Sequence, residues 1–307
     1  MLQGKLRPEE AVVIAFGAVL FFLRCSVGSC GMPASQGMIA VLLVTRMVVP
    51  VLFLGYMMHV LASLLKSSSE GGEFKRALAF TRDFFPLIAV FLLYQSLSVY
   101  NGQDMIHIVN PADRDTALMS VDQTLFGFQA SVWMQRFIAP ELTEVMGFFY
   151  SLHFFLPVLL ALVFYVSGLR DGFRDFMLGI VLAGCIGYSC YFIVPAAGPQ
   201  AVLKYDIDVQ GGALTRIVTT SEDFLRSTNR SAFPSLHVGM STVVLLFAWK
   251  HSRKTFAVLF VPVLLLWVST VYLRQHYLID VVAGWVLALA CFYASRKINA
   301  VWYHGRT

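Results

Sequence analysis

Charged side chains are scarce in this chain: Asp, Glu, Lys and Arg make up 13% of its 307 residues, against 58% hydrophobic residues. A soluble domain of this size carries about twice that share of charge, so the shortage excludes an ordinary soluble protein. With apolar runs long enough to cross a bilayer, it implies a polytopic integral membrane protein. Cysteine is almost as sparse. Cys25 and Cys30 are expected on the oxidising side, but their spacing near a helix end is a poor guide to disulfide geometry. Cys185, Cys190 and Cys291 read as packing residues. Internal repeats, low-complexity tracts and a separate soluble domain are also missing. The net charge of +5 is explained by how basic residues sort across a membrane, so it implies no nucleic-acid partner.

What the chain does contain is helix-length apolar sequence. Eight runs approach the ~20 residues a spanning helix needs, near 11–30, 37–65, 84–100, 142–167, 174–195, 235–250, 255–273 and 277–295. The expectation is an all-α bundle of about eight transmembrane helices. Arg24 interrupts the first run, which reads as a retained span and not a signal peptide. The third is short and is extended by the stretch from Asn101 to Asn110. Arg46, inside the second, is expected to face the bundle or a polar cavity.

Lysine and arginine set the orientation. Lys5, Arg7, Lys66, Lys75, Arg76, Arg82, Arg170, Arg174, Lys250, Arg253, Lys254, Arg296, Lys297 and Arg306 collect on one side. The other side has fewer, spread over longer loops. Both termini are therefore expected in the cytoplasm, with segments 101–140 and 196–234 and the turn near Arg274 on the extracytoplasmic face.

Two short stretches stand on that face, Ser231-Ala-Phe-Pro-Ser-Leu-His237-Val-Gly239 and Arg274-Gln-His276-Tyr-Leu-Ile-Asp280. Each lies where an apolar run begins, and ionisable residues at a membrane boundary are costly enough to suggest function. His276 and Asp280 are four residues apart and share a helix face. A carboxylate on one ring nitrogen fixes the tautomer and leaves the other nitrogen as nucleophile or base. His237 begins another helix after Pro234, where free N–H groups and the positive dipole end suit an anion. Ser231 and Ser235 offer hydroxyl or capping groups. A phosphate there needs cations, for which Arg226, Arg230 and Arg274 are the candidates, with Lys204 behind them. His237 suits the proton donor to a leaving oxygen.

Each of these residue types also has a plainer reading. His59, His107 and His153 lack a partner at a telling spacing and read as structural. Arginines near lipid also pair with headgroup phosphates. Two histidines and one carboxylate are a ligand set for zinc or non-haem iron, but an aspartate four residues from its histidine is more simply a hydrogen-bonded pair. No metal or cofactor is expected.

Phe233-Pro-Ser-Leu-His237 followed by His276-Tyr-x-x-Asp280, with Pro195-Ala-Ala-Gly-Pro199 upstream, resembles the three-part signature of the type 2 phosphatidic acid phosphatase superfamily. The chain is most similar to the branch containing fungal inositol phosphorylceramide synthase and its bacterial relatives. Asp122-x-x-Leu-Phe-Gly127 adds to that likeness, which covers roughly residues 120–295. The resemblance implies a helical membrane bundle with a six-helix core, a phosphohistidine at His276, an orienting Asp280, an acid–base His237 and no metal. Residues 1–82 are then a two-span extension and 83–307 the catalytic domain. There are departures from the phosphatase pattern. Leu236 replaces the usual glycine, as it does in the synthase branch. Thr270 stands where phosphatases carry an arginine, and Gln200 where an arginine often follows Gly-Pro.

Three functions follow from this reading. The leading one is a lipid phosphotransferase passing a phospho-headgroup through a phosphohistidine to an alcohol. The second is a phosphatase acting on phosphatidate or a polyprenyl (di)phosphate, and the third a non-enzymatic transporter of anionic lipids. The partner in each is a membrane lipid, in what reads as a bacterial inner membrane. Oligomeric state is not legible.

Overall fold

A computed structural model describes residues 6–26, 72–97, 105–225 and 228–304, and these are built from helices. The expected second span, with Arg46 and His59, lies outside the described residues, as do Cys30, Arg226 and the side chains of Arg24 and Cys25. The helices in chain order are α1 (Pro8–Ser26), α2 (Gly72–Gln95), α3 (Met105–Val109), α4 (Asp115–Phe126), α5 (Ala130–Met134), α6 (Pro140–Ser151), α7 (Leu156–Val166), α8 (Arg170–Ile193), α9 (Pro199–Val202), α10 (Ala213–Leu225), α11 (Leu236–His251), α12 (Arg253–Tyr272) and α13 (Leu278–His304). Among the described residues β structure is confined to a single parallel bridge, Ala196 to Ser231.

Among the described residues three helices are long and apolar enough to span a bilayer: α8, α12 and α13 as far as Tyr303. The expected run 142–167 is not one straight helix. Pro140–Phe154 and Leu156–Val166 meet at a 52° bend and together make a fourth candidate. The cause lies in Pro157, which has no N–H to donate and whose ring collides with the carbonyl four residues back, that of His153. A 3₁₀ turn over Leu152–Phe154 fills the break.

The remaining expected runs that are described are also helical, with shifted ends. α2 begins at Gly72, well before the expected residue 84, and the charges just before that residue, Arg82 and Asp83, are paired. Arg7 meets Asp83 at 2.7 Å and Arg82 meets Glu10 at 2.6 Å, joining α1 to α2. α11 occupies 16 residues, short for a span, and is bounded by Ser235 at its N-cap and Ser252 at its C-cap.

The core is apolar and aromatic. α11 packs against α13, α12, α8 and α7, and α8 also carries α1 and α2. Phe164, Phe176, Phe247, Leu160 and Leu266 are fully buried among these helices. A smaller cluster of Leu118, Ala196, Ala232 and Tyr277 includes one residue from each of the two polar motifs. α4 presents Asp115, Leu118 and Asp122 inward and Val121 and Leu125 outward, the spacing of a helix lying on a core with one face turned away from it.

Candidate active site

The site is assembled where α11 and α13 begin and α12 ends. Ser235 is the N-cap of α11, its hydroxyl accepting from Val238 N at 3.4 Å, and its own N–H donates to the Asp280 carbonyl at 3.1 Å. This main-chain bond ties the start of α11 to the first turn of α13. Ser235 is fully buried, and Pro234 stays just outside the helix.

His237 Nδ1 lies 3.1 Å from His276 Nε2. His276 Nδ1 lies 2.9 Å from the Ala232 carbonyl, which can only accept, so the tautomer follows: Nδ1 carries the proton and Nε2 presents its lone pair. Here the structure corrects the sequence reading. The Asp280 carboxylate is 3.5 Å from Nδ1, near enough for charge attraction, but the ring proton is held by a main-chain oxygen. Asp280 Oδ2 instead accepts from Tyr277 N at 2.8 Å. Its Oδ1 is buried with no hydrogen-bond partner among the described residues. A buried carboxylate so sparsely bonded favours a cation beside it, and His276 is the group placed to become one.

The kink described above adds a residue that sequence reasoning set aside. His153 donates its Nδ1 proton to the Tyr150 carbonyl at 2.8 Å, and its ring meets His237 edge-on with centroids 4.0 Å apart. Tyr150 stacks on His237 from another side at 4.6 Å. The signal was present in Tyr150-x-x-His153-x-x-x-Pro157, because the proline opens the helix at the carbonyl of that histidine. Among the described residues no three His, Cys, Asp or Glu side chains are grouped to hold a metal ion.

The cations expected around the phosphate are distributed differently. Arg230 Nη1 donates to the Pro111 and Ala112 carbonyls at 3.3 and 2.8 Å. Arg274 Nη2 donates to the Ile207 carbonyl, and the guanidinium lies over the Tyr205 ring, 3.6 Å from its centroid. Its Nε is buried with no hydrogen-bond partner among the described residues, and burial pulls the group below the usual arginine range. Lys204 is exposed. Thr270 is buried, and its hydroxyl turns back to the Trp267 carbonyl at 2.7 Å.

Arg274 also shapes the backbone. It has φ 62°, the left-handed region, and closes α12: Arg274 N donates to Val271 O at 3.0 Å and Gln275 N to Thr270 O at 3.0 Å. That pair of bonds is the Schellman motif, in which glycine is the usual residue. His276 N donates to the same Thr270 carbonyl at 3.2 Å, so the turn that ends α12 delivers the histidine. The Pro195–Pro199 segment lies against it. Gln200 N donates to Arg274 O at 2.9 Å and Ala232 N to Ala196 O at 3.0 Å. Gly198, at φ 92°, has no room for a side chain: a Cβ there would lie 2.5 Å from the Gln275 carbonyl.

Residues 116–294 match the model of the PAP2 superfamily. The chain is 28% identical over 158 residues to the phosphoinositol dihydroceramide synthase of Bacteroides thetaiotaomicron, covering 47% of this chain and 52% of that protein. It is 30% identical over 156 residues to the inositol phosphorylceramide synthase of Candida albicans, covering 46% and 33%. It is also 30% identical over 154 residues to the inositol phosphorylceramide synthase catalytic subunit of Saccharomyces cerevisiae, covering 46% and 38%. The match thus spans about half or less of the length of these relatives. No solved structure matches. With the family model covering more than half of an all-α membrane chain, and both histidine motifs inside the matched residues, the protein belongs to the PAP2 superfamily.

Proposed function

We propose that the protein is a lipid phosphotransferase of the inositol phosphorylceramide synthase type, moving a phospho-headgroup from a donor lipid to a lipid alcohol through a phosphohistidine at His276. One observation carries the reading: His276 gives its Nδ1 proton to the Ala232 carbonyl and turns Nε2 toward His237 Nδ1, 3.1 Å away. A nucleophile and a proton donor thus face one another.

In the first step the His276 Nε2 lone pair forms the N–P bond and the P–O bond to the donor's lipid oxygen breaks. His237, as the imidazolium, passes its Nδ1 proton to that oxygen and becomes neutral, so the donor leaves as a neutral alcohol. The phosphorylated imidazole still holds its Nδ1 proton and is cationic, and the Asp280 carboxylate at 3.5 Å offsets that charge. This attraction strengthens as the bond forms, which is what lowers a barrier. In the second step His237 takes the proton of the acceptor hydroxyl, its oxygen attacks phosphorus, and the bond to Nε2 breaks. Reacting atoms approach within about 3–3.5 Å, so a phosphoryl group between the rings must part them from their present contact.

Arg274 Nε is the donor we assign to the phosphate, with Arg230, Arg226, Lys204 and Ser235 as further phosphate-binding candidates. The names of the bacterial and fungal relatives favour an alcohol acceptor over water, as do Leu236, Thr270 and Gln200 at positions where phosphatases differ. We assign residues 1–82 to an N-terminal two-span extension and 83–307 to the catalytic domain. The site is assigned to the extracytoplasmic face of a bacterial inner membrane, with both termini cytoplasmic. This orientation is supported by Arg170, Arg174, Lys250, Arg253, Arg296 and Lys297, which stand at the helix ends opposite His237 and His276.

The test is to supply the purified protein in micelles with headgroup-labelled phosphatidylinositol plus ceramide or diacylglycerol, and separately with labelled phosphatidate, comparing wild type with His276→Ala. Histidine-dependent label on a new lipid is the expected result. Free phosphate from phosphatidate would make the protein a phosphatase, and no histidine-dependent product would leave the transporter reading.

A further inference from the structure

α13 begins without a cap of its own. The first N–H groups of a helix lack intrahelical acceptors, and a short Ser, Thr, Asp or Asn at the N-cap usually supplies one. Tyr277 occupies that place and has no oxygen near its backbone. Asp280, three residues on, returns to Tyr277 N at 2.8 Å, which is half of a capping box. The missing half comes from across the fold: Asp122 of α4 accepts from Leu278 N and Ile279 N, each at 2.9 Å. About two turns earlier on the same face, Asp115 accepts from Ala197 N at 2.7 Å, Gly198 N at 2.8 Å and the Tyr277 hydroxyl at 2.9 Å.

Both carboxylates are 1% exposed, and burial raises both above the usual carboxylate range against the pull of their N–H donors. Two aspartates on one short helix are therefore kept at a cost, and the N–H and phenol groups that donate to their carboxylates lie within three residues of His276 or on the 195–199 segment that braces it. Tyr277 in particular is gripped at its backbone by Asp280 and at its phenol by Asp115, and it is the neighbour of His276. Resting on the phosphotransferase reading above, we propose that Asp115 and Asp122 are positioning residues that hold the His276 turn and the start of α13 in register for phosphoryl transfer. α4 is then a strut whose inner face sets the nucleophile and whose outer face, with Val121 and Leu125 exposed, meets the lipid.

The full chain in micelles tests this with Asp122→Asn and Tyr277→Phe beside wild type and His276→Ala. The amide at 122 keeps the shape but has one acceptor oxygen where two N–H groups require two, and Tyr277→Phe removes only the hydroxyl held by Asp115. Misplacing a reacting group by about 1 Å costs about 100-fold, so Asp122→Asn is expected to lower kcat about 100-fold and Tyr277→Phe about tenfold, with KM within about threefold and the melting temperature retained. Hydrogen exchange of the Leu278 and Ile279 amides should accelerate in Asp122→Asn. A kcat in both variants within about threefold of wild type overturns the proposal, as does unchanged exchange. Should Asp122→Asn fail to fold, kcat, KM and exchange in Tyr277→Phe decide alone. If wild type itself forms no His276-dependent product, the fault lies with the phosphotransferase reading, and the exchange comparison still decides the positioning role.

Discussion

His276 Nε2 and His237 Nδ1 lie 3.1 Å apart, and the two rings have different supports. His276 is fixed through the Ala232 carbonyl, while His237 is held by the faces and edges of Tyr150 and His153. A ring held by a directed hydrogen bond keeps its tautomer. His237 also shares its Nδ1 proton with His276 Nε2, a partner that can itself gain or lose a proton, so His237 is left able to pass that proton on.

That difference separates the two histidine variants. His276→Ala removes the atom that bonds to phosphorus and is expected to lower turnover at least about 10⁴-fold, with no acid-labile phosphoenzyme. His237→Ala removes a proton donor, worth about 10²–10⁴-fold, and should still trap label on His276 when the leaving group is activated and needs no proton. Acid-quench labelling of both variants checks this, and label retained in His276→Ala would remove the nucleophile assignment.

Asp280→Asn is expected to be milder than the same change in a triad where the carboxylate sets the tautomer, which costs about 10⁴-fold. The Ala232 carbonyl already fixes Nδ1–H here, and the asparagine oxygen can still accept from Tyr277 N. What is lost is charge opposite the phosphoimidazolium, so kcat should fall about 100-fold with KM little changed. A loss near 10⁴-fold in steady-state assays would mean that Asp280, and not Ala232, governs the tautomer.

The parts of this site that sequence reading reached are those written in local spacing. His276 and Asp280 at i and i+4, and His237 behind a helix start, are brought together as expected. The acceptor for the His276 ring was missed because it is the carbonyl of Ala232, and a main-chain oxygen leaves no mark on residue identity. Asp122 was seen only as part of a resemblance and Asp115 not at all, since their bonds cross from α4 to residues 197, 198 and 277–279. His153 was set aside for want of a partner in sequence, though Pro157 marked the break that carries it to His237. The α2 boundary was misplaced for a related reason: Arg82 and Asp83 look like the end of an apolar run until Glu10 and Arg7 are seen beside them.

Arg274 read as an anion-binding side chain, and its backbone is what the sequence could not show. A left-handed residue other than glycine costs about 1–2 kcal/mol, while a guanidinium over an aromatic ring returns about 0.5–2 kcal/mol. Arg274→Gly relieves the first and forfeits the second, so its stability should stay within about 1 kcal/mol of wild type. Arg274→Lys keeps the strain and loses the planar stack on Tyr205, and should be the less stable of the two by thermal unfolding in micelles. The opposite order would mean that positive charge, and not the stacked plane, holds the 205–207 segment.

Gly198→Ala joins backbone strain to a collision. Its φ of 92° is one an alanine rarely adopts, and the added methyl would meet the Gln275 carbonyl at 2.5 Å. That oxygen belongs to the turn between Arg274 and His276, so relief requires moving the segment that delivers the nucleophile. Gly168, between α7 and α8 at φ 71°, has nothing within 4 Å of the same methyl position and serves as the control. Both substitutions carry about 1–3 kcal/mol of conformational strain, and both should lower the melting temperature. Only Gly198→Ala should also lower kcat, by about tenfold or more, because a displacement of the His276 turn well under an ångström is already felt in phosphoryl transfer. Equal kcat values for the two alanine variants would show that the 195–199 segment supports the fold without setting the position of His276.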